Sequence, residues 1–299
     1  MPRSDAFDDL IKDALHTDSI TKIGGGSGDI SVGVSYRTKE GQEVFVKLNE
    51  KSDALLMFRG EEASLKALAD TDTITCPRPV KILEELPGGG SALIMTNLAL
   101  GSSLNARALG EGLARLHLHN LLLLDAGSAS AVSKFGFHVP TCCGYISQAN
   151  KWSDNWLEFF CEKIEFQLSI TSSQGGEAIS LWNRLKLKVS QLFTGVNVRP
   201  SLLHGDLWSG NTGQVPTGPV IFDPASFYGH HEYDLGIASM FGPYSQGNLF
   251  AKGYHSLIPK EAGFDKRNQL YQLFHYLNHW SHFGGGYRSS SIAIMKSLL

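Results

Sequence analysis

The sequence predicts an α+β fold in which a strand-rich part, residues 1–98, is followed by a mainly helical part, residues 99–299. Residues 43–48 show the alternating apolar pattern of a strand. Beyond residues 96–98 the apolar residues recur at helical spacing, first over residues 104–118. A chain of 299 residues can form two lobes, each with its own core, or one large domain.

The composition indicates a protein without a nucleic-acid or membrane partner. The 26 Lys and Arg residues nearly balance the 29 Asp and Glu residues, and the net charge of −3 leaves no basic excess for nucleic acid. Residues 1–18 lack the apolar stretch of a signal peptide, and the longest purely aliphatic run, residues 121–124, is too short to span a bilayer. Four cysteines are too few for a disulfide framework in this length. We therefore expect a soluble, cytoplasmic protein with free thiols.

Two features precede the alternating strand. Residues 7–15 carry apolar side chains at i, i+3, i+4 spacing, which predicts a short amphipathic surface helix. Residues 23–31 form a glycine-rich turn between two strand-like segments, where backbone N–H groups can approach phosphate oxygens because no Cβ blocks them. Gly26, Ser27 and Gly28 are the candidate nucleotide contacts. The strict G-x-G-x-x-G spacing is absent, and a plain flexible turn is the alternative.

Lys47, near the end of the predicted strand, is a candidate phosphate ligand. In kinases a lysine in this place pairs with ATP phosphates and with a glutamate on the following helix. The helix predicted over residues 53–69 offers Glu61 and Glu62 as partners, because both lie close to its apolar face. The alternative is a solvated lysine on an edge strand, which is the more common environment of lysine.

A candidate hinge follows two further predicted strands. Residues 80–86 and residues 92–95 have strand-like patterns and are separated by a turn that contains Pro and Gly. Thr96, Asn97 and Leu98 then leave the second strand. In kinase-like folds such a segment binds adenine through its backbone. The change to a helical pattern here also marks the predicted boundary between the two parts.

The stretch over residues 202–228 carries the candidate catalytic residues. Asp206 and Asn211 are five positions apart, and Asp223 follows a short apolar run bounded by turn residues. In this order they reproduce the kinase catalytic loop, His-Gly-Asp-Leu-x-x-x-Asn, and the metal-binding Asp. Asp206 could accept a proton from a hydroxyl nucleophile, while Asn211 and Asp223 could hold Mg²⁺ through oxygen ligands. Taken singly, each residue is also an ordinary turn former.

Aromatic, histidine and acidic side chains of the helical part offer further candidates. Trp208, beside the candidate catalytic loop, could stack on the apolar face of a sugar or act as a wedge that packs the loop. Asp234 could brace that loop through hydrogen bonds. His275, His279 and His282 share one helical face, so a zinc site is an alternative to packing.

The remaining helical patterns indicate packing. Residues 152–160 carry aromatic residues at helical spacing, after an aromatic, glycine-containing loop over residues 134–145. Residues 177–193 predict one amphipathic helix with Ile179 among its inward positions. We expect these segments to form core rather than to bind ligands.

The stretch LLHGDLWSGN, with DPASFYGHHEYDL and MFG further along, resembles the fructosamine kinase family, also called ketosamine-3-kinases. The resemblance extends from the glycine-rich turn to Leu299 and is strongest over residues 202–242 and 270–288. It implies a two-lobed protein-kinase-like fold. Residues 1–98 would form a small antiparallel N-lobe sheet with one helix, and residues 99–299 a larger, mainly helical C-lobe.

The same resemblance implies ATP and Mg²⁺ as cofactors and phosphoryl transfer to the 3-hydroxyl of ketosamines, both small molecules and glycated proteins. Phosphorylation makes the sugar–amine adduct unstable, so the amine is released. His279 and Trp280, with residues 282–283, would line the acceptor cleft. A monomer or weak homodimer is expected. A kinase of an aminoglycoside-like or choline-like substrate and a nucleotide-binding pseudokinase scaffold are the alternatives, and the preferred ketose stays open.

Two positions are interpreted through the family pattern. Met-Phe-x-Gly-Glu-x-Ala-Ser-Leu matches residues 57–65 and points to Glu61 as the partner of Lys47. Family members often carry a cysteine in the glycine-rich turn, where this chain has Asp29. Redox-controlled dimerisation through that cysteine is therefore not implied for this chain.

Overall fold

The computed structural model of the protein describes residues 4–27, 31–101, 103–171, 176–245 and 247–299. Its N-terminal part contains five strands and two helices among the described residues: α1 (Ser4–Leu15), β1 (Ile20–Ser27), β2 (Val32–Thr38), β3 (Glu43–Asn49), α2 (Ala54–Asp70), β4 (Pro79–Leu83) and β5 (Ser91–Thr96). The strands form one antiparallel sheet in the order β1-β2-β3-β5-β4. The predicted strand-rich part is confirmed, with α1 as a second helix beside α2.

The alternation along β3 directs its side chains to the two faces of the sheet. Val44 and Val46 are buried in a small core that α1 covers with Ile11. Phe45 and Lys47 belong to the opposite face, where Phe45 packs against the main core and Lys47 reaches α2. The strand pattern therefore places one lysine at the junction between the sheet and α2.

The rest of the chain is mainly helical, as predicted. Its helices are α3 (Ala106–Asp125), α4 (Trp156–Ile170), α5 (Gly176–Lys186), α6 (Glu232–Phe241), α7 (Asn248–His255), α8 (Phe264–Phe283) and α9 (Gly286–Leu298). Among the described residues of this part, three short antiparallel ladders are formed by β6 (Thr141–Cys143) with β7 (Ile146–Gln148), β8 (Ser201–Leu202) with β11 (Tyr228–Gly229), and β9 (Thr212–Val215) with β10 (Gly218–Ile221). Across the described ranges, each helix is too short or too polar to cross a bilayer.

Several helical boundaries differ from the sequence prediction. Helix α3 continues to Asp125 because the leucines after residue 118 extend its pattern. The single helix predicted over residues 177–193 is two, since α5 ends at Lys186 and a 3-10 turn covers Val189–Phe193. Ile179 is 37% exposed rather than inward-facing. Spacing alone missed this break because no Gly or Pro marks it.

One hydrophobic core joins the sheet, α2 and the helical part. Phe58 and Leu65 of α2 lie in the same buried cluster as Leu113 of α3. The Ser64 hydroxyl, fully buried, accepts a hydrogen bond from the Ser226 amide at 3.1 Å. Helix α2 is thus fixed against the segment that follows the candidate metal-binding Asp.

Gly60 makes the close approach of α2 to the β6 strand possible. A Cβ at this position would lie 2.6 Å from the Pro140 carbonyl oxygen and 3.0 Å from Thr141 Cα. Because these are backbone atoms that cannot rotate away, we expect Gly60→Ala to lower the free energy of unfolding by about 1–3 kcal/mol in urea denaturation. Gly286→Ala, at a helical glycine with open space around it, is the control and should not lower it. Equal stability of both variants would contradict this account of the packing.

Candidate active site

A cleft of about 600 Å³ opens between the sheet and the helical part. It collects residues from the strand with Lys47, from α2, from the candidate catalytic loop and from α8, together with Ser31 at the end of the predicted glycine-rich turn. Residues 96–98 of the predicted hinge do not line it. Its lining residues include Lys47, Glu61, Cys142, Asp206, Trp208, Asn211, Asp223, Asn278, His279, His282 and Phe283. The candidate catalytic residues therefore share one cavity.

Lys47 lies at the centre of a buried charge cluster. Its Nζ is 3.0 Å from both carboxylate oxygens of Glu61 and 3.0 Å from Asp223 Oδ1. Glu62 instead points outward and pairs with Lys66 at 2.8 Å. The structure thus pairs Glu61, and not Glu62, with the strand lysine.

The charges of this cluster stabilise one another. Burial disfavours the charge on Lys47, but the carboxylates of Glu61 and Asp223 outweigh that effect and raise its pKa. Burial raises the pKa of Glu61, and the Lys47 ammonium opposes the shift. The 3.0 Å bidentate contact is the geometry of an ionised pair.

Asp206 and Asn211 are held together by the turn between them. The 3-10 turn Ser209–Asn211 brings the Asn211 side-chain N–H to the Asp206 carbonyl at 2.9 Å. A weaker contact at 3.5 Å runs to the Asp206 carboxylate. The amide nitrogen of Asn211 is thus engaged by the loop, while its amide oxygen is the group suited to a metal.

Burial raises the pKa of Asp206 to about 7. The negative charges of Asp223 and Asp234 act in the same direction, and hydrogen bonds from Cys143 and Asn211 oppose them. A carboxylate with this pKa is poised to accept a proton near neutral pH.

Asp223 follows β10 by two residues and adopts a left-handed backbone, with a φ of 56°. This conformation is uncommon for a residue other than glycine, Asp and Asn adopt it more often than most, and active sites often contain such residues. The β9–β10 hairpin returns the chain to the loop, where the Phe222 amide donates to the Asn211 carbonyl at 3.1 Å. The hairpin thereby places the Asp223 carboxylate beside Asn211 in the cleft.

The oxygen donors of Asn211 and Asp223 fit a hard divalent cation. The side chain of Asp223 is 45% exposed and faces the cleft, and carboxylate and amide oxygens are the ligands that Mg²⁺ accepts. The two residues are carried by adjacent segments of one hairpin. The donor set is therefore compatible with Mg²⁺.

Asp234 braces the catalytic loop, as the sequence suggested. Its fully buried carboxylate accepts hydrogen bonds from the amides of His204 at 2.7 Å and Gly205 at 2.8 Å. His117 Nε2 lies 3.1 Å from the same carboxylate. Burial alone would raise the pKa of Asp234, but these donors, His117 first, outweigh burial and lower it. An ionised Asp234 therefore fixes the backbone just before Asp206.

The predicted nucleotide contacts are only partly described. Gly26 and Ser27 are the last residues of β1, where they pair with Gly33 and Val32 of β2. Gly28, and with it Asp29, lies outside the described residues. The first residues of the predicted turn, residues 23–27, belong to β1.

The predicted hinge leaves β5 as expected but lies outside the cleft lining. The amides of Thr96 and Asn97 donate to the carbonyls of Arg78 and Glu43. The Asn97 side chain accepts from Ser35 at 2.9 Å. These bonds fix the segment against the sheet, and they engage two of its backbone donors.

The predicted acceptor residues divide into two groups. Trp208, 41% exposed, and His279 line the cleft. Trp280 is only 5% exposed, belongs to the main core and does not line the cleft, so the structure contradicts the expectation for this residue. His279 and Trp280 point about 100° apart around the axis of α8, so His279 faces the cleft while Trp280 faces the core.

The three histidines of α8 do not converge on one point. His279 and His282 each bond through Nδ1 to the carbonyl one turn earlier, and His282 Nε2 accepts from the Tyr145 amide at 3.0 Å. His275 is fully buried and lies near Cys143 and Asp206 instead. A zinc site built from the three histidines is therefore not present among the described residues.

Comparison with known proteins identifies the family. A family model described as fructosamine kinase matches residues 3–299. The chain belongs to the fructosamine kinase family. Within this family, the chain is 49% identical over 308 residues to a ketosamine-3-kinase of Mus musculus, covering 97% of this chain and 98% of that protein. It is 42% identical to a chloroplastic protein-ribulosamine 3-kinase of Arabidopsis thaliana, covering 94% and 83%.

Solved structures agree with this assignment of the chain. A candidate fructosamine-3-kinase from Haemophilus somnus 129PT superposes with a TM-score of 0.79 at 27% identity, covering 98% of this chain and 97% of that one. An aminoglycoside phosphotransferase, APH(4)-Ia, has a TM-score of 0.60 at 13% identity, covering 98% of each chain. The likeness to the aminoglycoside phosphotransferase shows the fold alone. Both superpositions confirm the kinase-like architecture.

Proposed function

We propose that the protein is an ATP-dependent ketosamine 3-kinase, an enzyme that phosphorylates the 3-hydroxyl of sugar–amine adducts and so leads to deglycation. The observation that carries the proposal is the 49% identity to a ketosamine-3-kinase over nearly the whole chain, together with a cleft lined by the candidate residues Asp206, Asn211 and Asp223. Membership of a kinase family implies ATP as the phosphoryl donor. Small ketosamines and glycated proteins are the proposed acceptors.

Asp206 acts as the base in this proposal. It accepts the proton of the sugar hydroxyl while the hydroxyl oxygen forms a bond to the γ-phosphorus. The bond from that phosphorus to the β–γ bridging oxygen breaks, and ADP leaves. The bond from the Asn211 amide to the Asp206 carbonyl, at 2.9 Å, keeps the base in position.

The nucleotide would be held by charges from both parts of the chain. Lys47, oriented by Glu61, would bind the phosphates, and Asn211 and Asp223 would hold Mg²⁺. Bound Mg²⁺ would neutralise the phosphate charge that develops during transfer. In ATP-bound protein, Asp223 would exchange its contact with Lys47 for the metal.

The remaining contacts follow from the lobe arrangement that we propose, with an N-lobe over residues 1–98 and a C-lobe over residues 99–299. The backbone of residues 26–28 would approach the phosphates, and that of residues 96–98 the adenine. Trp208 and His279, which line the cleft, would contact the sugar. One relative is named a ketosamine-3-kinase and another a protein-ribulosamine 3-kinase, so adducts of fructose and of ribulose are both candidate acceptors.

The first test uses purified protein, Mg-ATP and either fructoselysine or ribuloselysine, with phosphorylated sugar followed by mass spectrometry. We expect product from the wild type and none from Asp206→Asn. Phosphorylation of an aminoglycoside or choline in place of both ketosamines would support a different small-molecule kinase. ATP binding without turnover on any acceptor would support the pseudokinase scaffold.

The pH profile should report the ionisation of Asp206. Because burial raises its pKa to about 7, the protonated form, which cannot accept a proton, accumulates as the pH falls. We expect kcat/KM for the ketosamine to decrease as the pH falls below about 7. At saturating Mg²⁺ this acid limb of the pH profile should move to lower pH, since a nearby cation favours the ionised carboxylate. Rates measured from about pH 5 to pH 9 check this. A flat acid limb would contradict the role of Asp206.

A further inference from the structure

Three potential metal ligands meet behind the catalytic loop. Cys143 comes from β6, Asp206 from the loop and His275 from α8. One ligand atom from each of the three lies within 4.8 Å of the others. Asp223, one of the two proposed Mg²⁺ ligands, is not part of this cluster.

His275 is a buried polar side chain without a partner. Its ring is fully buried, and among the described residues neither ring nitrogen has a hydrogen-bond partner. Buried polar groups are normally satisfied, because an unpaired group has lost its hydrogen bonds to water and gained none in return. Burial lowers the pKa of His275 to about 3, so the ring is neutral, as a metal-binding imidazole must be. A ligand bound to a His275 ring nitrogen would supply the partner that this buried ring lacks.

Cys143 supplies a sulfur at the same point. The residue is 3% exposed, and its Sγ accepts a hydrogen bond from Asn278 Nδ2 at 3.3 Å. Asn278 also receives a hydrogen bond on Oδ1 from Gln167 at 3.2 Å, which fixes the orientation of its amide. The sulfur is therefore held in place beside Asp206 by a defined second layer of hydrogen bonds, as ligands in metal sites usually are.

We propose that Cys143, Asp206 and His275 form an inhibitory Zn²⁺ site, distinct from the Mg²⁺ pair Asn211 and Asp223. Thiolate, imidazole and carboxylate together are a donor set typical of Zn²⁺, whereas Mg²⁺ takes oxygen ligands. Three protein ligands leave a fourth position for water, on the side where Asp206 lines the cleft.

The cluster needs only a small contraction to bind the ion. Tetrahedral Zn²⁺ with bonds of about 2.0–2.3 Å holds its ligand atoms about 3.5 Å apart. The three ligand atoms now lie within 4.8 Å of one another, so binding requires them to approach by at most about 1.3 Å. The Cys143 thiol gives up its proton to solvent when the thiolate binds the metal.

Occupation of this site would stop phosphoryl transfer, a consequence that rests on the proposed role of Asp206. Zn²⁺ bound to one oxygen of the Asp206 carboxylate lowers the proton affinity of the whole group, so Asp206 becomes a poor acceptor for the hydroxyl proton. Inhibition should therefore be reversible by a chelator and should persist in excess Mg²⁺, since the two ions occupy different ligands.

The binding experiment uses the full chain without nucleotide, in excess Mg²⁺, titrated with Co²⁺ as a spectroscopic probe and then with Zn²⁺. The variants are Cys143→Ser and His275→Gln, with Cys142→Ser as the matched control, because Cys142 is adjacent but outside the cluster. We expect a thiolate-to-cobalt charge-transfer band in the wild type and in Cys142→Ser, and none in Cys143→Ser. His275→Gln should weaken binding at least about tenfold.

A second measurement needs no variant. X-ray absorption of the wild type with one equivalent of Zn²⁺ should show one sulfur neighbour with nitrogen and oxygen neighbours, whereas oxygen and nitrogen alone would overturn the site. Kinase activity should fall over the same Zn²⁺ range as binding. Zinc bound through sulfur without inhibition would overturn the inhibitory role of the site and would also count against Asp206 as the base. An enzyme without kinase activity would leave both binding measurements valid.

Discussion

Asp206→Asn should reduce kcat by about 10³-fold, since the amide has no proton-accepting oxygen of comparable basicity. Asn has the same shape, and Asn211 can still contact the carbonyl of residue 206 at 2.9 Å. The loop geometry is therefore preserved, and ATP binding should change little. The measurement is single-turnover phosphorylation of the preferred ketosamine, with nucleotide affinity determined in parallel.

The same substitution should stabilise the protein at alkaline pH. Folding raises the pKa of Asp206 to about 7, so the folded state holds this proton more tightly than the unfolded chain. The wild type therefore loses stability from this group as the pH rises from about 4 through about 7. After allowance for partial solvent exposure, Asp206→Asn should raise the free energy of unfolding by about 2 kcal/mol near pH 8 and should leave it nearly unchanged near pH 4.

Asp154→Asn is the matched control for both effects. Asp154 is 79% exposed and pairs with Lys134 on the surface, so its loss should change stability by less than about 0.5 kcal/mol and leave activity intact. Urea unfolding at the two pH values separates the electrostatic effect from packing. An Asp206→Asn enzyme with wild-type turnover would exclude Asp206 as the base. A gain in the free energy of unfolding that does not depend on pH would show that it does not arise from the ionisation of Asp206.

Lys47→Met should reduce kcat/KM by about 10²–10³-fold and also destabilise the protein. The substitution removes the cation that lies 3.0 Å from both Glu61 and Asp223. Glu61, with its side chain 7% exposed, would then be a buried carboxylate without its counter-ion. Removal of one partner from such a buried pair costs about 3–5 kcal/mol.

The pH dependence and a double variant test the cause of this loss. Without Lys47, the pKa of Glu61 rises further, so the destabilisation should grow as the pH increases. Lys47→Met with Glu61→Gln should recover part of the stability but none of the activity, because no cation remains for the phosphates. Lys66→Met, which breaks the exposed pair with Glu62, should cost less than about 0.5 kcal/mol. Full activity of Lys47→Met would contradict its proposed contact with ATP.

The sequence by itself determined the features that depend on neighbouring residues. The period of a strand placed Lys47 on the face opposite Val44 and Val46. The five-residue spacing of Asp206 and Asn211 fits a single tight turn, and the hairpin that follows returns the chain with Asp223 beside it. Such patterns are local because hydrogen bonds and apolar periodicity act over a few residues.

Only the tertiary structure decided which side chains meet across the fold. Helical periodicity left both Glu61 and Glu62 as partners of Lys47, and the family pattern pointed to Glu61. The docking of α2 on the sheet turns Glu61 to Lys47 and leaves Glu62 to pair with Lys66. Packing also turned Trp280 into the core. The cluster of Cys143 and His275 around Asp206 joins three distant segments and has no sequence spacing of its own. These contacts follow from how whole elements pack, and the energy of that packing is spread over the entire core.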